Sequence, residues 1–248
     1  MLIVRLCPAR VRWKPDLGHF SSKNISREFT HGFCDIISID SLLAVIPNKP
    51  TRGSRFVGMT PGRVSLCFMA YPNIHRPAHM QLCPEGVYFL TARVLDGASV
   101  FASEARKELL FDILVNKCFQ NGVDLISWTI CDNHYHVLIY SEREFDLGYL
   151  MNRIHSVTDT MLNKEDLTPG RKVWYQYWDT WLRTEQDFFL RFNYVHWNPI
   201  KHGYVKDLDE LESYEYCSFG LWKEMLGEEM IESFFEQYPI EDFDPFRK

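Results

Sequence analysis

The chain lacks three features that would assign it to a membrane, secreted or zinc-binding class. No apolar run approaches the ~18–20 residues that cross a bilayer, and the apolar stretch at the start is too short for a secretory signal. Its seven cysteines include no Cys-x-x-Cys pair, and their odd number argues against a disulfide framework. These absences predict a cytoplasmic protein with reduced thiols.

Basic charge is scarce in the chain as a whole, since 27 Lys and Arg residues face 33 Asp and Glu residues. The net charge of −6 weighs mildly against a nucleic-acid partner. A local basic groove remains compatible with it, because each charge acts over only ~8–10 Å. The 13 acidic and 3 basic residues of 207–248 fit either a solvated helix surface or a DNA-mimicking or regulatory tail.

Residues 1–68 have no sustained hydrophobic period and are interrupted by proline and glycine. They fit a disordered basic arm, a small helical appendage, or translated upstream sequence with Met69 as the true start. We therefore expect a poorly ordered or spurious extension at 1–68, which a protein starting at Met69 can lose without unfolding. The predicted folded domain is 69–206, followed by an acidic helical tail at 207–248.

Regular structure is predicted from about residue 86 onward. Hydrophobic periodicity and turn signals give the order β-α-β-β-α-β-α, in which the last helix contains Tyr194 and ends before Pro199. The predicted strands are 87–94, 123–130, 134–140 and 173–183. This order predicts an α+β fold, with helices packed on an antiparallel sheet of ferredoxin-like type.

Two histidines stand two residues apart at the start of the third predicted strand. His134 and His136 would project from the same face of that strand, where two imidazoles can hold one divalent cation, and Tyr135 from the other face. A His-x-His pair alone is weak evidence, because histidines also alternate on ordinary strands. The apolar context favours a metal site, since two unpaired imidazoles are costly to bury.

A second segment places Tyr194 and Asn198 four residues apart. On a helix this spacing puts a hydroxyl and an amide on one face. Two alternatives stay open: an ordinary tyrosine packed on the sheet, and a non-helical Asn198, because Pro199 follows it. Together with the histidine pair, these groups are the parts for metal-assisted attack on a phosphodiester.

The two motifs, in this order and spacing, resemble the single-tyrosine HUH transposases of the IS200-like superfamily. In particular they resemble the bacterial REP-associated tyrosine transposases, in which a His-hydrophobe-His strand and a helix tyrosine before an Asn-Pro step form the active site. The segment 174–183 also resembles that family. The similarity extends over about residues 70–222 and implies that 69–206 form an HUH transposase domain.

Carried over by position, the resemblance implies roles for four residues. Tyr194 would be the nucleophile that cleaves and rejoins single-stranded or hairpin DNA through a 5′-phosphotyrosine. His134, His136 and Asn198 would hold a divalent metal ion, Mg²⁺ or Mn²⁺, and imidazole ligands suit Mn²⁺ better.

Basic side chains that flank this site in the sequence are the candidate DNA contacts, because phosphate contacts supply most of the affinity. These residues are Arg153, Arg171, Lys172, Arg183, Arg191 and Lys201. Relatives usually carry a lysine where this chain has His155, which implies weaker DNA binding.

Two other functions stay open at this point. One is a domesticated, non-cleaving binder of structured DNA, and the other is a metal-dependent hydrolase without a covalent step. The expected assembly is a monomer or a homodimer without a membrane partner. The motifs fit the enzyme of a mobile DNA element and a domesticated enzyme equally well.

Overall fold

The computed structural model describes residues 2–4, 36–38, 82–241 and 243. Two short strands, β1 (Leu2–Val4) and β2 (Ile36–Ser38), pair antiparallel near the start of the chain. The remainder of the predicted extension at 1–68 lies outside the described residues. Its lack of order and its dispensability therefore stay predictions.

The main sheet contains four strands in the spatial order β4-β5-β3-β6, and every neighbouring pair is antiparallel. The strands are β3 (Gly86–Val94), β4 (Asp124–Ile130), β5 (His134–Ser141) and β6 (Trp174–Leu182). Strands β3 and β4 run parallel on either side of β5, as in a ferredoxin-like sheet. The predicted α+β fold class is confirmed.

Three long helices connect or follow these strands, and three shorter ones lie near the C-terminus. They are α1 (Glu104–Gln120), α2 (Leu147–Glu165), α3 (Glu185–Lys201), α4 (Leu208–Leu211), α5 (Phe219–Leu226) and α6 (Glu228–Gln237). Side chains of Asp146 and Thr184 cap α2 and α3 by accepting bonds from the first-turn backbone N–H groups of Tyr149 and Asp187. None of the described helices is long and apolar enough to cross a membrane.

The two faces of the sheet build separate parts of the core. Helices α1 and α2 cover the face that carries Tyr135 and Val137. Helices α3, α5 and α6 cover the opposite face, which carries Phe89 and Leu138. Because side chains alternate along β5, His134 and His136 belong to the α3 face.

The acidic C-terminal segment packs against the α3 face of the sheet. Trp222 of α5 is buried, and its indole N–H donates to the backbone oxygen of Ile126 in β4 at 3.0 Å. The amide of Asn193 in α3 donates to the backbone oxygens of Phe234 and Tyr238, both at 2.7 Å. The short helices therefore complete the core beside α3, with their acidic side chains directed outward.

Replacing Trp222 by alanine is expected to destabilise the fold by about 3–5 kcal/mol, because it empties a large buried site and removes the bond to β4. Urea unfolding followed by circular dichroism measures this loss. Met230→Ala on α6, where the side chain is 44% exposed, is the control and should change stability by less than about 0.5 kcal/mol. Equal stabilities of the two variants would show that α5 does not contribute to the core.

Candidate functional site

The histidine pair lies on a central strand of the sheet. In the β3–β5 register, Thr91 is opposite His136 and Arg93 is opposite His134. The two imidazole rings share the α3 face with centroids 5.1 Å apart. Tyr135 projects from the other face, where its hydroxyl bonds to His155 at 3.0 Å. The alternation expected from the sequence therefore holds at this point.

Helix α3 continues through Pro199, so the prediction that it ends before this proline is wrong. Pro199 has no N–H to donate, but the helix ends only two residues later. Backbone N–H groups of His202 and Tyr204 donate to the oxygens of Asn198 and Pro199 at 3.1 and 2.9 Å and close the last turn. Packing of this turn against the sheet outweighs the local preference of the residue before a proline. Tyr194 and Asn198 consequently share one helix face.

Four polar side chains from β5 and α3 converge in a buried cluster. The ring centroids of Tyr194 and His136 are 5.1 Å apart. His134 Nε2 lies 2.9 Å from Asn198 Oδ1. Tyr194 is 1% exposed and Asn198 is completely buried. The fold thus brings together all four residues that the motifs singled out for nucleophile and metal.

The hydrogen bonds of Asn133 define the protonation of His134. The Asn133 amide nitrogen donates to the backbone oxygen of Gly97 at 3.0 Å, which leaves its oxygen facing His134 Nδ1 at 2.7 Å. Nδ1 must therefore carry a proton and donate it. In the neutral ring, the lone pair of Nε2 then faces Asn198 Oδ1, itself an acceptor.

His134 Nε2 and Asn198 Oδ1, 2.9 Å apart, are both atoms that can bind a cation. Ligand atoms ~2.1 Å from one ion and 90° apart are about 3.0 Å from each other, close to the separation of His134 Nε2 and Asn198 Oδ1. The other amide atom, Asn198 Nδ2, is buried and has no hydrogen-bond partner among the described residues. The donor set at this point fits a metal ion.

His136 is also arranged as a ligand. Its Nδ1 bonds to the Thr91 hydroxyl at 2.7 Å, which leaves Nε2 for another partner. Burial, together with the neighbouring His134, Lys201 and His202, lowers the pKa of His136 well below its usual value and keeps the ring neutral. Among the described residues no three His, Cys, Asp or Glu side chains form a metal site, and the side chain beside His134 is the Asn198 amide, 2.9 Å away.

Two cationic side chains of α3 lie beside Tyr194. Lys201 Nζ donates a hydrogen bond to the Tyr194 hydroxyl at 3.1 Å. The Arg191 guanidinium lies over the ring of Phe243 at 3.1 Å, and Phe243 in turn packs edge-on against Tyr194 with centroids 5.4 Å apart. Burial lowers the pKa of Arg191 to about 10, which leaves it charged at neutral pH.

The other basic residues singled out by the sequence are spread over the domain. Arg183 stacks on Trp181 at 4.7 Å. Arg153 is exposed on α2, and Arg171 is paired with Asp166 at 2.7 Å. Lys172 lines a cavity of about 560 Å³, with His155, Trp174 and Tyr177, between α2 and β6. Arg153, Arg171 and Lys172 therefore belong to the half of the domain away from Tyr194.

His196 of α3 contributes to the core and takes no part in the proposed metal site. It is completely buried, and its Nε2 bonds to the Ser218 hydroxyl at 2.8 Å. Ser218 also accepts from the backbone N–H of Trp128, so this pair ties α3 to β4 and the start of α5. Burial lowers the pKa of His196 to about 3 and keeps it neutral.

Residues 88–182 match the family model described as "Transposase IS200 like". A solved REP-associated tyrosine transposase bound to a REP hairpin is similar over 60% of this chain and 84% of its own, with 15% identity and a TM-score of 0.49. A candidate transposase from Deinococcus radiodurans is similar over 39% of this chain and 78% of its own, with 16% identity and a TM-score of 0.34. No curated protein matches the chain.

Proposed function

We propose that this chain, whose residues 88–182 match the model of IS200-like transposases, cleaves and rejoins DNA strands by attack of Tyr194 on a phosphodiester. The observation that carries the proposal is the convergence of Tyr194, His134, His136 and Asn198 in one buried cluster. The proposed substrate is single-stranded or hairpin DNA. The proposed form is a monomer or homodimer in the bacterial cytoplasm.

In the proposed reaction, the new phosphotyrosine bond retains the energy of the broken phosphodiester bond. The Tyr194 oxygen forms a bond to phosphorus while the bond from phosphorus to the 3′ oxygen breaks. The phenol loses one proton to solvent and the departing 3′ oxygen takes up one, which gives a 5′-phosphotyrosine and a free 3′-OH. A 3′-OH can then attack the phosphotyrosine and rejoin the strand without ATP.

His134, His136 and Asn198 are the proposed ligands of a divalent ion, Mg²⁺ or Mn²⁺. When bound, the ion withdraws charge from a non-bridging phosphate oxygen and stabilises the transition state. The short distance of 2.9 Å between His134 Nε2 and Asn198 Oδ1 supports this assignment. Imidazole donors favour Mn²⁺ of the two.

Thr91 is expected to orient His136 for metal binding. A neutral His136 ring that ligates through Nε2 carries its proton on Nδ1 and donates it to the Thr91 hydroxyl, 2.7 Å away. Thr91→Val removes this acceptor and should weaken Mn²⁺ binding by about 10–100-fold, measured by calorimetry in the absence of DNA.

Thr129→Val is the matched control for Thr91→Val. Thr129 lies opposite His136 on the β4 side, and no hydrogen bond joins the two residues. Its replacement should leave Mn²⁺ affinity within about threefold of wild type, because the orientation of the His136 ring does not depend on it. If Thr91→Val binds Mn²⁺ as tightly as this control, Thr91 has no orienting role.

The proposed DNA contacts form two groups. Arg191 and Lys201 flank the nucleophile, so these two would hold the phosphates next to the cleaved bond. Arg183 stacks on Trp181, which packs with the core of the α1 and α2 face, and would contact DNA away from that bond. Arg153, Arg171 and Lys172 would contact more distant parts of a hairpin. All six stay proposals for the DNA interface.

A second candidate function is DNA binding without cleavage. The burial of Tyr194, at 1% exposure beneath Phe243, favours it, because a phosphate must reach the phenol oxygen before any reaction can occur. This function would leave the histidine pair and Asn198 as a structural cluster.

Incubation with end-labelled hairpin DNA and Mn²⁺ separates these functions. Covalent cleavage predicts a labelled band that migrates with the protein in SDS and disappears when EDTA is present. Binding alone predicts a shift in a native gel and none in SDS. A metal-dependent hydrolase predicts shortened DNA without any protein-linked product.

A further inference from the structure

Lys201 contacts the oxygen of the proposed nucleophile. Its Nζ donates to the Tyr194 hydroxyl at 3.1 Å and lies 5.1 Å from the centroid of the phenol ring. The two residues are seven positions apart on α3, which places them two turns apart on one face of the helix. The contact exists only because α3 continues through Pro199 to Lys201.

A structural role accounts for part of this arrangement. A cation in the last turn of a helix is favourable there, and an ammonium group near an aromatic ring gains further attraction. Neither effect directs the ammonium group at the phenol oxygen.

We propose that Lys201 is a catalytic residue of the cleavage reaction. The inference rests on the proposed function, since it assigns the group that stabilises the tyrosine oxygen in that reaction. As the Tyr194 oxygen bonds to phosphorus, the phenol proton goes to solvent and the Lys201 ammonium holds the oxygen toward the phosphate. During rejoining, the bond from phosphorus to this oxygen breaks, and the same ammonium stabilises the departing phenolate until it regains a proton from solvent.

Arg191 does not replace Lys201 in this role. Its guanidinium lies against the rings of Phe243 and Phe89, at 3.1 and 5.3 Å. The described contacts place its charge over aromatic faces, and the hydrogen bond to the phenol oxygen comes from Lys201. The two cations therefore have separate effects, one on packing over Tyr194 and one on its oxygen.

Single-turnover kinetics on the full-length chain test the proposal, with labelled hairpin DNA and saturating Mn²⁺. Lys201→Met should lower the rate constant for the SDS-resistant adduct by about 10²–10³-fold, as expected when the donor that stabilises the deprotonated Tyr194 nucleophile is removed. The Kd for DNA, measured by fluorescence anisotropy, should rise by less than about threefold, because one phosphate contact among several is a small part of the affinity. Lys201→Arg, which keeps a cationic donor, should retain a rate within about tenfold of wild type.

Lys117→Met is the matched charge control. Lys117 lies near the end of α1, on the other side of the sheet, and bonds to Gln120 at 2.9 Å. This variant should react at the wild-type rate. Circular dichroism should show the same folded content for all variants, since Lys201 lies at the end of α3 and is only partly buried.

Three results would overturn the assignment of Lys201. Adduct formation by Lys201→Met at the wild-type rate would remove the catalytic role. A loss fully restored by raising the DNA concentration would limit Lys201 to DNA binding and remove its role in the reaction. Absence of adduct from the wild-type protein itself would reject the proposed function, and the assignment of Lys201 would fall with it.

Discussion

Tyr194→Phe is expected to abolish covalent capture of DNA. The substitution removes the only atom that forms the proposed bond to phosphorus, and the hydroxyl of another residue cannot take its place without moving into the cluster. Labelled hairpin DNA with Mn²⁺ should give no SDS-resistant band. The ring remains to pack against His136 and Phe243, so the free energy of unfolding should change by only about 1 kcal/mol.

Tyr135→Phe is the control for this variant. Tyr135 lies between the two histidines in the sequence, but its hydroxyl is on the opposite face of the sheet and bonds to His155. This variant should form the adduct at the wild-type rate. An adduct that persists in Tyr194→Phe would show that another group is the nucleophile.

His134→Ala and His136→Ala are expected to lower cleavage by at least about 10³-fold. Each removes one proposed ligand of the metal ion, whose contribution to transition-state stabilisation is several kcal/mol. Binding of the hairpin should persist, because phosphate contacts by basic side chains supply most of the affinity. Quenched-flow cleavage assays and native gels measure the two effects separately.

His155→Ala separates the loss of a ligand from the loss of a buried imidazole. His155 is stacked on Trp174 on the other face of the sheet, with centroids 4.5 Å apart, and burial lowers its pKa to about 3. This variant should be less stable than wild type but should cleave at an unchanged rate in the folded state. Undiminished cleavage by the His134→Ala/His136→Ala double variant in EDTA would exclude the metal site.

The sheet could be predicted because its signals are local. Periodicity and turns indicated the four strands that the structure places at β3 to β6, and the His-x-His spacing predicted which face carries the histidines. The position of Tyr194 near this face was predicted from the order of the two motifs and from their resemblance to the single-tyrosine HUH transposases. Local patterns were sufficient wherever one strand or one helix turn decides the geometry.

Features that depend on tertiary packing could not be predicted. The rule for residues before proline indicated a helix end at Asn198, whereas packing against the sheet extends α3 to Lys201. This extension creates the contact between Lys201 and Tyr194, which no spacing rule indicated. Likewise, proximity in sequence grouped Arg171 and Lys172 with Arg191, although the fold places them in different halves of the domain.

The composition of the C-terminal helices also failed to predict how they pack. The sequence predicted an acidic helical tail at 207–248, where 13 residues are acidic and 3 are basic. The apolar positions among them, Phe219, Trp222 and Ile231, are buried against the α3 face. Net charge thus describes the outer surface of these helices and gives no information about their inner one.

Peptide mapping of the trapped adduct identifies the nucleophile of the reaction. Wild-type protein is incubated with Mn²⁺ and hairpin DNA labelled separately on each side of the cleaved bond, and the SDS-resistant product is digested and analysed by mass spectrometry. We expect that only the strand with the 5′ phosphate remains attached, and that the added mass lies on Tyr194. A nucleotide on any other residue, or cleaved DNA without attached protein, would contradict attack by Tyr194.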